Sequence, residues 1–534
     1  MAQAASAAVA RREIHLSAVA AVRSRARSVA LGLAAVVAIQ FAAMTALAAV
    51  LGTWQDEEYT LATTAHGVGY AVHRALSYEL QAPLYFGVLA VLRTLDPSLF
   101  FARMFSVVAA CLVTLLGARI AQRIWPARDP RIFAALVACN PYVVFAAVEI
   151  RLYALAMLVS AALWLAFDLG FLAQERRDAR VALVLLAIVA AYLQYFLVFE
   201  LAGFGVALVV ARRWRALRTY VFAMCIAALA FVPLGLVLRS QVSGELGQHA
   251  SLPGAYGSVF VHPLLDFVIP LGFEPLLGGV SHLIVIAAAA ALVFVLVAGR
   301  PALEIRTLAL VAAAAAVECC YAFLDKVLHY ELVVPRHFVA LFVPEIAAVY
   351  ALIAAFRARG RNALGLALAC TVALASAASL FATYGTLAKQ GDWPRVGAFL
   401  SEAARPGDTI AVFPADGTMP LRRYYRGPAR VVPFPRPLSQ DRYATAALFV
   451  RSENRAAATL AALARHGRLW LVHFGGCSAF DAYGCVELDK AVAQHFRVAQ
   501  DNDFFNNEVV RLEPVARTAY AVPRRARRRS GMSR

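Results

Sequence analysis

Apolar runs of about twenty residues recur between residues 28 and 384, and they restrict the chain to folds that a lipid bilayer permits. A bilayer core of about 30 Å requires about 20 apolar helical residues for one crossing, and backbone groups inside it must be bonded within the fold. Eleven stretches meet this description: residues 28–51, 100–118, 132–148, 152–173, 181–195, 196–211, 219–238, 282–299, 307–323, 337–356 and 362–384. The sequence therefore predicts a mainly α, polytopic transmembrane helical bundle with about 11 spans.

Composition agrees with a membrane location. Of the 534 residues, 61% are hydrophobic and 16% are charged, and the mean hydropathy is +0.67, which is not typical of a soluble protein. The formal net charge of +18 would suggest nucleic acid in a soluble protein. Here the basic residues lie mainly in short loops and in the last 150 residues, so we expect membrane lipids as partners and no nucleic acid. The basic tail 516–534 is expected to be disordered and solvated, although such a run could touch anionic surfaces.

The orientation of the bundle depends on residues 82–95. This apolar segment has only 14 residues and contains Arg93, which fits an interfacial helix better than a span. Without it, the loops on the N-terminal side of the membrane hold 21 Arg and the short loops on the other side hold 7 basic residues. The positive-inside rule then places residues 1–27 in the cytoplasm and both the loop 52–99 and the C-terminus outside.

From about Lys389 the pattern changes to that of a soluble domain. Apolar bursts at 409–413 and 468–474 predict strands, and residues 394–404 and 453–465 predict helices between them. The expected organisation is thus a transmembrane domain at 28–388 followed by a small extracytoplasmic α/β domain at 389–515. Because a glycine-rich phosphate loop and paired CxxC motifs are absent from this region of the sequence, we assign the domain no chemistry of its own.

Two cysteines in the polar C-terminal region give independent information on the compartment. Cys477 and Cys485 are the only cysteines there, whereas the other six lie in apolar runs. A local pair of this kind suggests a disulfide in an oxidising compartment. The alternative is two free thiols.

Three consecutive acids follow the first predicted span. Asp56, Glu57 and Glu58 lie at the outer membrane surface, where a carboxylate can act as a general base or bind a cation. The same residues could equally form a solvated loop end.

A second charged motif lies at the outer junction of the third and fourth predicted spans. Glu149 and Arg151 border lipid there, and ionisable residues at such a depth tend to face a polar cavity. The alternative is a pair that caps two helices. Tyr153 could be an aromatic residue of the membrane interface.

A cationic cluster precedes the tenth predicted span. It consists of Lys326, His329, Tyr330, Arg336 and His337, and its cations are suited to a phosphate. Arg336 could equally anchor its helix at the interface.

The order of these motifs resembles that of the GT-C superfamily of integral-membrane glycosyltransferases, in particular the protein O-mannosyltransferases and the bacterial lipid A aminoarabinose transferases. The matching pieces are Asp56-Glu57, Ala82-Pro83-Leu84-Tyr85, Arg103, Asn140-Pro141, the run Glu149 to Leu155, Arg336-His337-Phe338 with Pro344, and Asp392-Trp393. Together they cover most of residues 30 to 400.

The resemblance implies transfer of a sugar from a polyprenyl-phosphate donor to a hydroxyl of a glycan, lipid or protein at the outer face of a bacterial inner membrane. It implies Asp56 as the general base, Glu57 and Glu149 as groups that orient the acceptor or a divalent cation, and Arg336 with His337 or Lys326 as the phosphate site. Arg151, Tyr153, His329 and Tyr330 are further candidates for substrate binding. A divalent cation is the one cofactor that these residues would suit, and an organic cofactor is not expected.

Two other classes compete with an enzyme. A lipid or glycoconjugate transporter would also be polytopic, but transporters commonly show repeated halves with sites near the midplane, and the acids here cluster at one surface. A non-catalytic scaffold would explain the outer domain but not the ordered charged motifs. The sequence leaves open the sugar, the acceptor and any dependence on a metal.

Overall fold

The computed structural model describes residues 2–126, 128–242, 305–326, 338, 342–358, 362–439, 447–465, 467–473 and 482–515. These residues form a helical bundle followed by a small mixed α/β unit. The helices of the bundle, in chain order, are α1 (Ala2–Val50), α2 (Gln55–Thr63), α3 (Val68–Ser77), α4 (Leu84–Leu92), α5 (Leu99–Ile124), α6 (Pro130–Ala138), α7 (Pro141–Val148), α8 (Tyr153–Phe167), α9 (Arg177–Leu193), α10 (Val198–Val210), α11 (Trp214–Gln241), α12 (Ile305–Lys326), α13 (Phe342–Ala358) and α14 (Asn362–Tyr384).

Six stretches of helix within the described residues are long and apolar enough to cross a bilayer. They are Ala26–Val50, Leu99–Ile124, Tyr153–Leu172, Trp214–Gln241, Ile305–Leu324 and Asn362–Phe381. Helices α6 and α7 meet at a 56° bend and make a seventh crossing if they are counted as one span. The bend follows from Asn140-Pro141, because proline lacks the N–H that a continuous helix needs and Asn140 caps α7 instead.

The remaining predicted spans fall into two groups. Three correspond to helices of at most 17 residues, namely α9, α10 with the short turn before it, and α13. The predicted span 282–299 lies outside the described residues. A count of eleven spans therefore stays a prediction. Helix α4 has nine residues and a length of about 14 Å, which is too short to cross, in agreement with an interfacial position.

The bundle has a packed centre and an apolar exterior. In the most apolar window of Tyr153–Leu172, 72% of the residues are buried, against 17% in Trp214–Gln241 and in Asn362–Phe381. The outer helices instead expose large apolar side chains such as Phe222 and Phe381. A water-soluble protein would not leave such surfaces uncovered, so these faces are suited to lipid.

The C-terminal unit is a five-stranded sheet covered on both faces. Its elements are α15 (Trp393–Ala403), β1 (Thr409–Phe413), α16 (Thr418–Tyr424), β2 (Arg430–Pro433), α17 (Glu453–Ala464), β3 (Leu469–His473), α18 (Cys485–His495), β4 (Phe496–Phe504) and β5 (Asn507–Pro514). The strand order is β2-β1-β3-β5-β4. β1 is parallel to β2 and β3, and β5 is antiparallel to β3 and β4.

Every residue of β1 is buried because helices pack on both faces of the sheet. Ala411 and Phe413 face α17 and α18, whereas Ile410 and Val412 face α15 and α16. Trp54 of the bundle belongs to the second of these two cores. The predicted strands and helices of this domain are confirmed, with ends that differ by at most one residue. Strands β2, β4 and β5 and helices α16 and α18 were not predicted.

Candidate active site at the start of helix α2

Three consecutive acids occupy the first turn of α2, where the positive end of the helix dipole favours carboxylates. Successive residues of a helix point about 100° apart, so Asp56, Glu57 and Glu58 face three different surroundings. Glu57 points to Arg103 of the bundle, Glu58 points to Arg423 of the C-terminal unit, and Asp56 faces Arg151. The side chain of Asp56 is 20% exposed, against 0% for Glu57 and 9% for Glu58. Asp56 is thus the most accessible of the three.

Glu57 lies in a buried ion cluster. Its carboxylate accepts hydrogen bonds from Arg103 Nη2 at 3.0 Å and from the backbone N–H of Ile150 at 3.0 Å, and it lies 2.9 Å from Lys389 Nζ. Burial alone would raise the pKa of Glu57, but Arg103 and Lys389 outweigh it and hold this pKa below its ordinary value. Glu57 is therefore ionised at neutral pH.

Glu149 shares the same lysine. One of its carboxylate oxygens lies 3.0 Å from Lys389 Nζ, and the other accepts a hydrogen bond of 2.5 Å from Trp54 Nε1. Burial raises the pKa of Glu149 to about 7, although Lys389 opposes this shift. The residue follows the end of α7, where the chain turns into α8, and the Ser106 hydroxyl donates to its backbone carbonyl at 2.7 Å. We refer to Glu57, Glu149, Arg103 and Lys389 as the lysine cluster.

Sequence reasoning missed Lys389 as a functional residue. Its ammonium also donates to the Val148 carbonyl at 2.7 Å, and its side chain is only 2% exposed. Burial, followed by the nearby Arg103, lowers the pKa of Lys389 even though Glu149 and Glu57 oppose the shift. One signal in the sequence pointed to it: Lys389 is one of only three lysines in an arginine-rich chain.

Arg151 connects Asp56 to a further acid. Its guanidinium lies 3.9 Å from the Asp56 carboxylate, donates to Thr60 Oγ1 at 2.9 Å and binds Glu79 at 3.2 Å. Burial raises the pKa of Glu79, and the charge of Arg151 opposes this shift. Tyr153 is buried beside this group, with its ring centroid 5.8 Å from that of Phe145.

The C-terminal unit docks against α2 through helix α16. Arg423 pairs with Glu58, and Tyr424 Oη accepts the backbone N–H of Thr53 at 2.8 Å. Gly52 permits this approach, because a β-carbon there would lie 2.7 Å from the ring of Pro394. The contact brings Asp416, at the end of β1, against the first turn of α2.

Asp416 is the second functional candidate that the sequence did not reveal. It is buried, and its surroundings include the charge of Asp56 and the Tyr59 hydroxyl. Burial, followed by the negative charge of Asp56, raises the pKa of Asp416 to about 7. The spacing of more than 350 residues between these two aspartates gives no sequence signal.

The predicted phosphate site and part of the disulfide prediction lie beyond what the structure describes. Among the predicted cations, Lys326 is the last residue of α12, and its side chain is not described. His329, Tyr330, Arg336 and His337 lie outside the described residues, as does Cys477. Cys485 is disulfide-bonded.

Three acidic side chains lie together on the β4–β5 hairpin. Within the described residues, Asp501, Asp503 and Glu508 can bring carboxylate oxygens within 4.8 Å of one another. Two of the three are exposed, and surface acids often lie together without an ion. Glu57 and Glu149 are bonded within the lysine cluster, so their carboxylates are not available to a divalent cation at the start of α2.

Comparison with known proteins identifies the fold. No protein-family model and no curated protein matches the chain. Among solved structures, it is similar to ArnT from Cupriavidus metallidurans bound to undecaprenyl phosphate, with 14% identity and a TM-score of 0.52, over 90% of this chain and 97% of that one. The apo state of the same protein matches with 15% identity and a TM-score of 0.50, over 89% and 97%. At these identities the similarity shows the fold, so this chain shares its fold with ArnT.

Proposed function

We propose that this chain, which has the fold of ArnT, is a membrane glycosyltransferase that moves a sugar from a polyprenyl-phosphate donor to an acceptor hydroxyl. The observation that carries the proposal is the environment of Asp56, an accessible carboxylate beside two acids that are fully engaged in ion pairs. ArnT binds undecaprenyl phosphate, and a lipid-borne phosphate is the donor class that the apolar exterior of this bundle would admit.

In the proposed reaction Asp56 is the general base. It takes the proton of the acceptor hydroxyl while the acceptor oxygen forms a bond to the anomeric carbon of the sugar. The bond between that carbon and the phosphate oxygen breaks in line, with inversion, and its electron pair leaves on the polyprenyl phosphate. Lys326, Arg336 and His337 remain the proposed cations that stabilise the leaving phosphate.

The lysine cluster gives Glu57 and Glu149 a role that differs from the one implied by the family resemblance. Both carboxylates are buried, and their oxygens bind Arg103, Lys389, Trp54 and the Ile150 N–H. We therefore propose that they are positioning residues. They hold the start of α2 against α5 and the α7–α8 turn, and so they fix the direction in which Asp56 points. Arg151 also helps to fix the direction of Asp56, through its contacts with Asp56, Thr60 and Glu79.

The location of the reaction is part of the proposal. The arginine bias of the loops supports a position of α2 and the C-terminal unit on the extracytoplasmic side, and the resemblance to bacterial transferases implies an inner membrane. The disulfide at Cys485 supports this placement, since such bonds persist in oxidising compartments. Nucleotide sugars are made in the cytoplasm, so a site on the outer side requires a donor that the membrane itself carries.

The test is transfer of radiolabelled sugar from a panel of polyprenyl-phosphate sugars in membranes that contain the chain. We expect covalent incorporation of label with at least one donor, and a loss of about 100-fold or more in Asp56→Asn, because a general base contributes about 10²–10⁴ to the rate. Asp503→Asn, an exposed aspartate of the C-terminal unit, is the matched control and should retain wild-type transfer. Full activity of Asp56→Asn at equal expression would exclude Asp56 as the base.

The same experiment separates the enzyme from the transporter. A lipid or glycoconjugate transporter would move label across the membrane without attaching it to a new acceptor. Incorporation that requires the chain, together with release of polyprenyl phosphate, would therefore exclude the transporter. Redistribution of label with no covalent product would favour it.

A further inference from the structure

The region just beyond the carboxyl end of β1 faces the start of α2. In sheets with parallel strands, ligands bind beyond the carboxyl ends of the strands, and β1 is parallel to both of its neighbours. Asp416 lies three residues beyond β1, in the short helical turn Ala415–Gly417. Helix α16 follows at once and is the element that docks on α2. This edge of the sheet is thus turned toward the start of α2.

Asp416 has unsatisfied bonding capacity at this contact. The residue is 9% exposed, and its Oδ1 is buried without a hydrogen bond to any described residue. A buried carboxylate oxygen without a partner is unfavourable, and native proteins rarely keep one without a reason. The groups that face it are Asp56 and Tyr59 of α2, and Tyr78 at the end of α3. One of these groups is an acid and two are phenols. The charged groups beside Tyr78 are Glu79 and Arg74, and the Arg74 guanidinium lies over the Tyr78 ring, 4.0 Å from its centroid. Among the described residues Asp416 forms no salt bridge, so an ion pair does not account for its presence.

We infer that Asp416 is a second substrate-contacting carboxylate, and that the C-terminal unit completes the acceptor subsite with it. This inference rests on the proposed function. Asp56 removes the proton from the reacting hydroxyl, and Asp416 accepts a hydrogen bond from a second donor group of the same acceptor. Two neighbouring carboxylates favour a neutral acceptor with two adjacent hydroxyls, as in a glycan, over an acceptor that presents a phosphate or carboxylate at this point.

The protonation state of Asp416 gives this role a distinct pH dependence. Burial and the charge of Asp56 raise its pKa to about 7, so the carboxyl group loses its proton only as the pH rises through neutrality. The ionised form only accepts hydrogen bonds, whereas the protonated form has an O–H donor and is the weaker acceptor. Transfer should therefore increase between pH 6 and pH 8, and the part of this increase that belongs to Asp416 should vanish in Asp416→Asn.

The experiment uses the purified full chain in lipid nanodiscs, with the donor that the membrane assay identifies and the membrane glycans as acceptor. The variants are Asp416→Asn and, as a matched control, Asp503→Asn. Undecaprenyl phosphate serves as a separate probe of folding and of the donor site, through its inhibition of transfer and its effect on the thermal midpoint. We expect Asp416→Asn to lose about 10- to 100-fold in transfer at pH 8, the amount that one hydrogen bond to a charged group supplies.

The expected pattern is selective. Asp416→Asn should bind undecaprenyl phosphate within twofold of the wild type and should lack the rise in transfer between pH 6 and pH 8. Asp503→Asn should bind undecaprenyl phosphate like the wild type and should also keep the rise in transfer between pH 6 and pH 8. Transfer by Asp416→Asn within twofold of the wild type at pH 8 would overturn the inference and leave the proposed function intact, whereas no transfer by the wild type with any donor would refute the proposed function itself. A wild-type rate that is flat between pH 6 and pH 8 would also overturn the inference, and this test needs no variant.

Discussion

Replacement of Lys389 by methionine isolates the energetic role of the lysine cluster. Methionine has a similar length, but it removes the ammonium that lies 2.9 Å from Glu57 and 3.0 Å from Glu149. Loss of one partner from a buried ion pair costs about 3–5 kcal/mol, because the remaining charge stays buried without compensation. Glu57 still has Arg103, so the cost falls mainly on Glu149, which keeps only the Trp54 N–H. We expect Lys389→Met to lower the free energy of unfolding by about 3 kcal/mol at pH 8.

The loss of stability in Lys389→Met should be smaller at acidic pH. Glu149 has a pKa of about 7 in the folded protein and 4.5 as its ordinary value, so the folded state holds a proton that the unfolded state has released. Stability from this proton is present at low pH and is lost as the pH rises through the folded pKa. Without Lys389 this pKa rises further, and at pH 6 a neutral Glu149 tolerates the loss of the cation. One unit of pKa corresponds to about 1.4 kcal/mol, so the destabilisation at pH 6 should be smaller by about that amount.

The assay is chemical denaturation of the purified chain in detergent at pH 6 and pH 8. Lys490→Met is the matched control, since Lys490 is half-exposed and pairs with Glu487 on its own helix; it should change stability by no more than about 0.5 kcal/mol. Glu149→Gln in the Lys389→Met background should recover most of the loss. Equal stability of the two methionine variants, or no recovery in the double variant, would refute the reasoning.

Two further predictions concern the C-terminal unit. Mass spectrometry of the non-reduced protein should find Cys485 joined to Cys477, with the other cysteines open to alkylation after denaturation; a Cys485 that alkylates without reductant would exclude the bond. Charge reversal in Arg423→Glu places a like charge against Glu58 and should speed proteolytic release of the C-terminal unit about tenfold, which corresponds to about 1.4 kcal/mol. Glu58→Arg in the same chain should restore resistance, and a double variant as sensitive as Arg423→Glu would show that this pair does not hold the contact.

The sequence was informative wherever a local pattern determines the structure. The β1 strand was predicted at 409–413 and occurs there, because a short apolar run after a turn has few alternatives. Residues 132–148 were predicted as one span, and the break at Asn140-Pro141 was missed although a cap followed by proline is a local signal for a helix start. The family resemblance grouped Glu57 with Glu149, and in the structure these two carboxylates share Lys389.

The sequence was least informative about which partner each side chain meets. Asp56, Glu57 and Glu58 were read as one motif, yet the helical rotation sends each to a different partner. Glu57 pairs with Lys389, which lies 332 positions later in the chain. Asp416 lies near α2 only because the C-terminal unit docks there. Contacts of this kind depend on tertiary packing and leave no periodicity or spacing to read.

Lys389 also bears on how such a protein can change over evolution. It stands at the first residue of what the sequence presents as a separable domain, yet its ammonium bridges two acids of the helical bundle. Exchange of the C-terminal unit for another at this boundary would remove the cation and leave the bundle with a buried negative charge. A recombination point that preserves the bundle must therefore lie after Lys389, and the C-terminal unit is less of an independent module than its polar composition suggests.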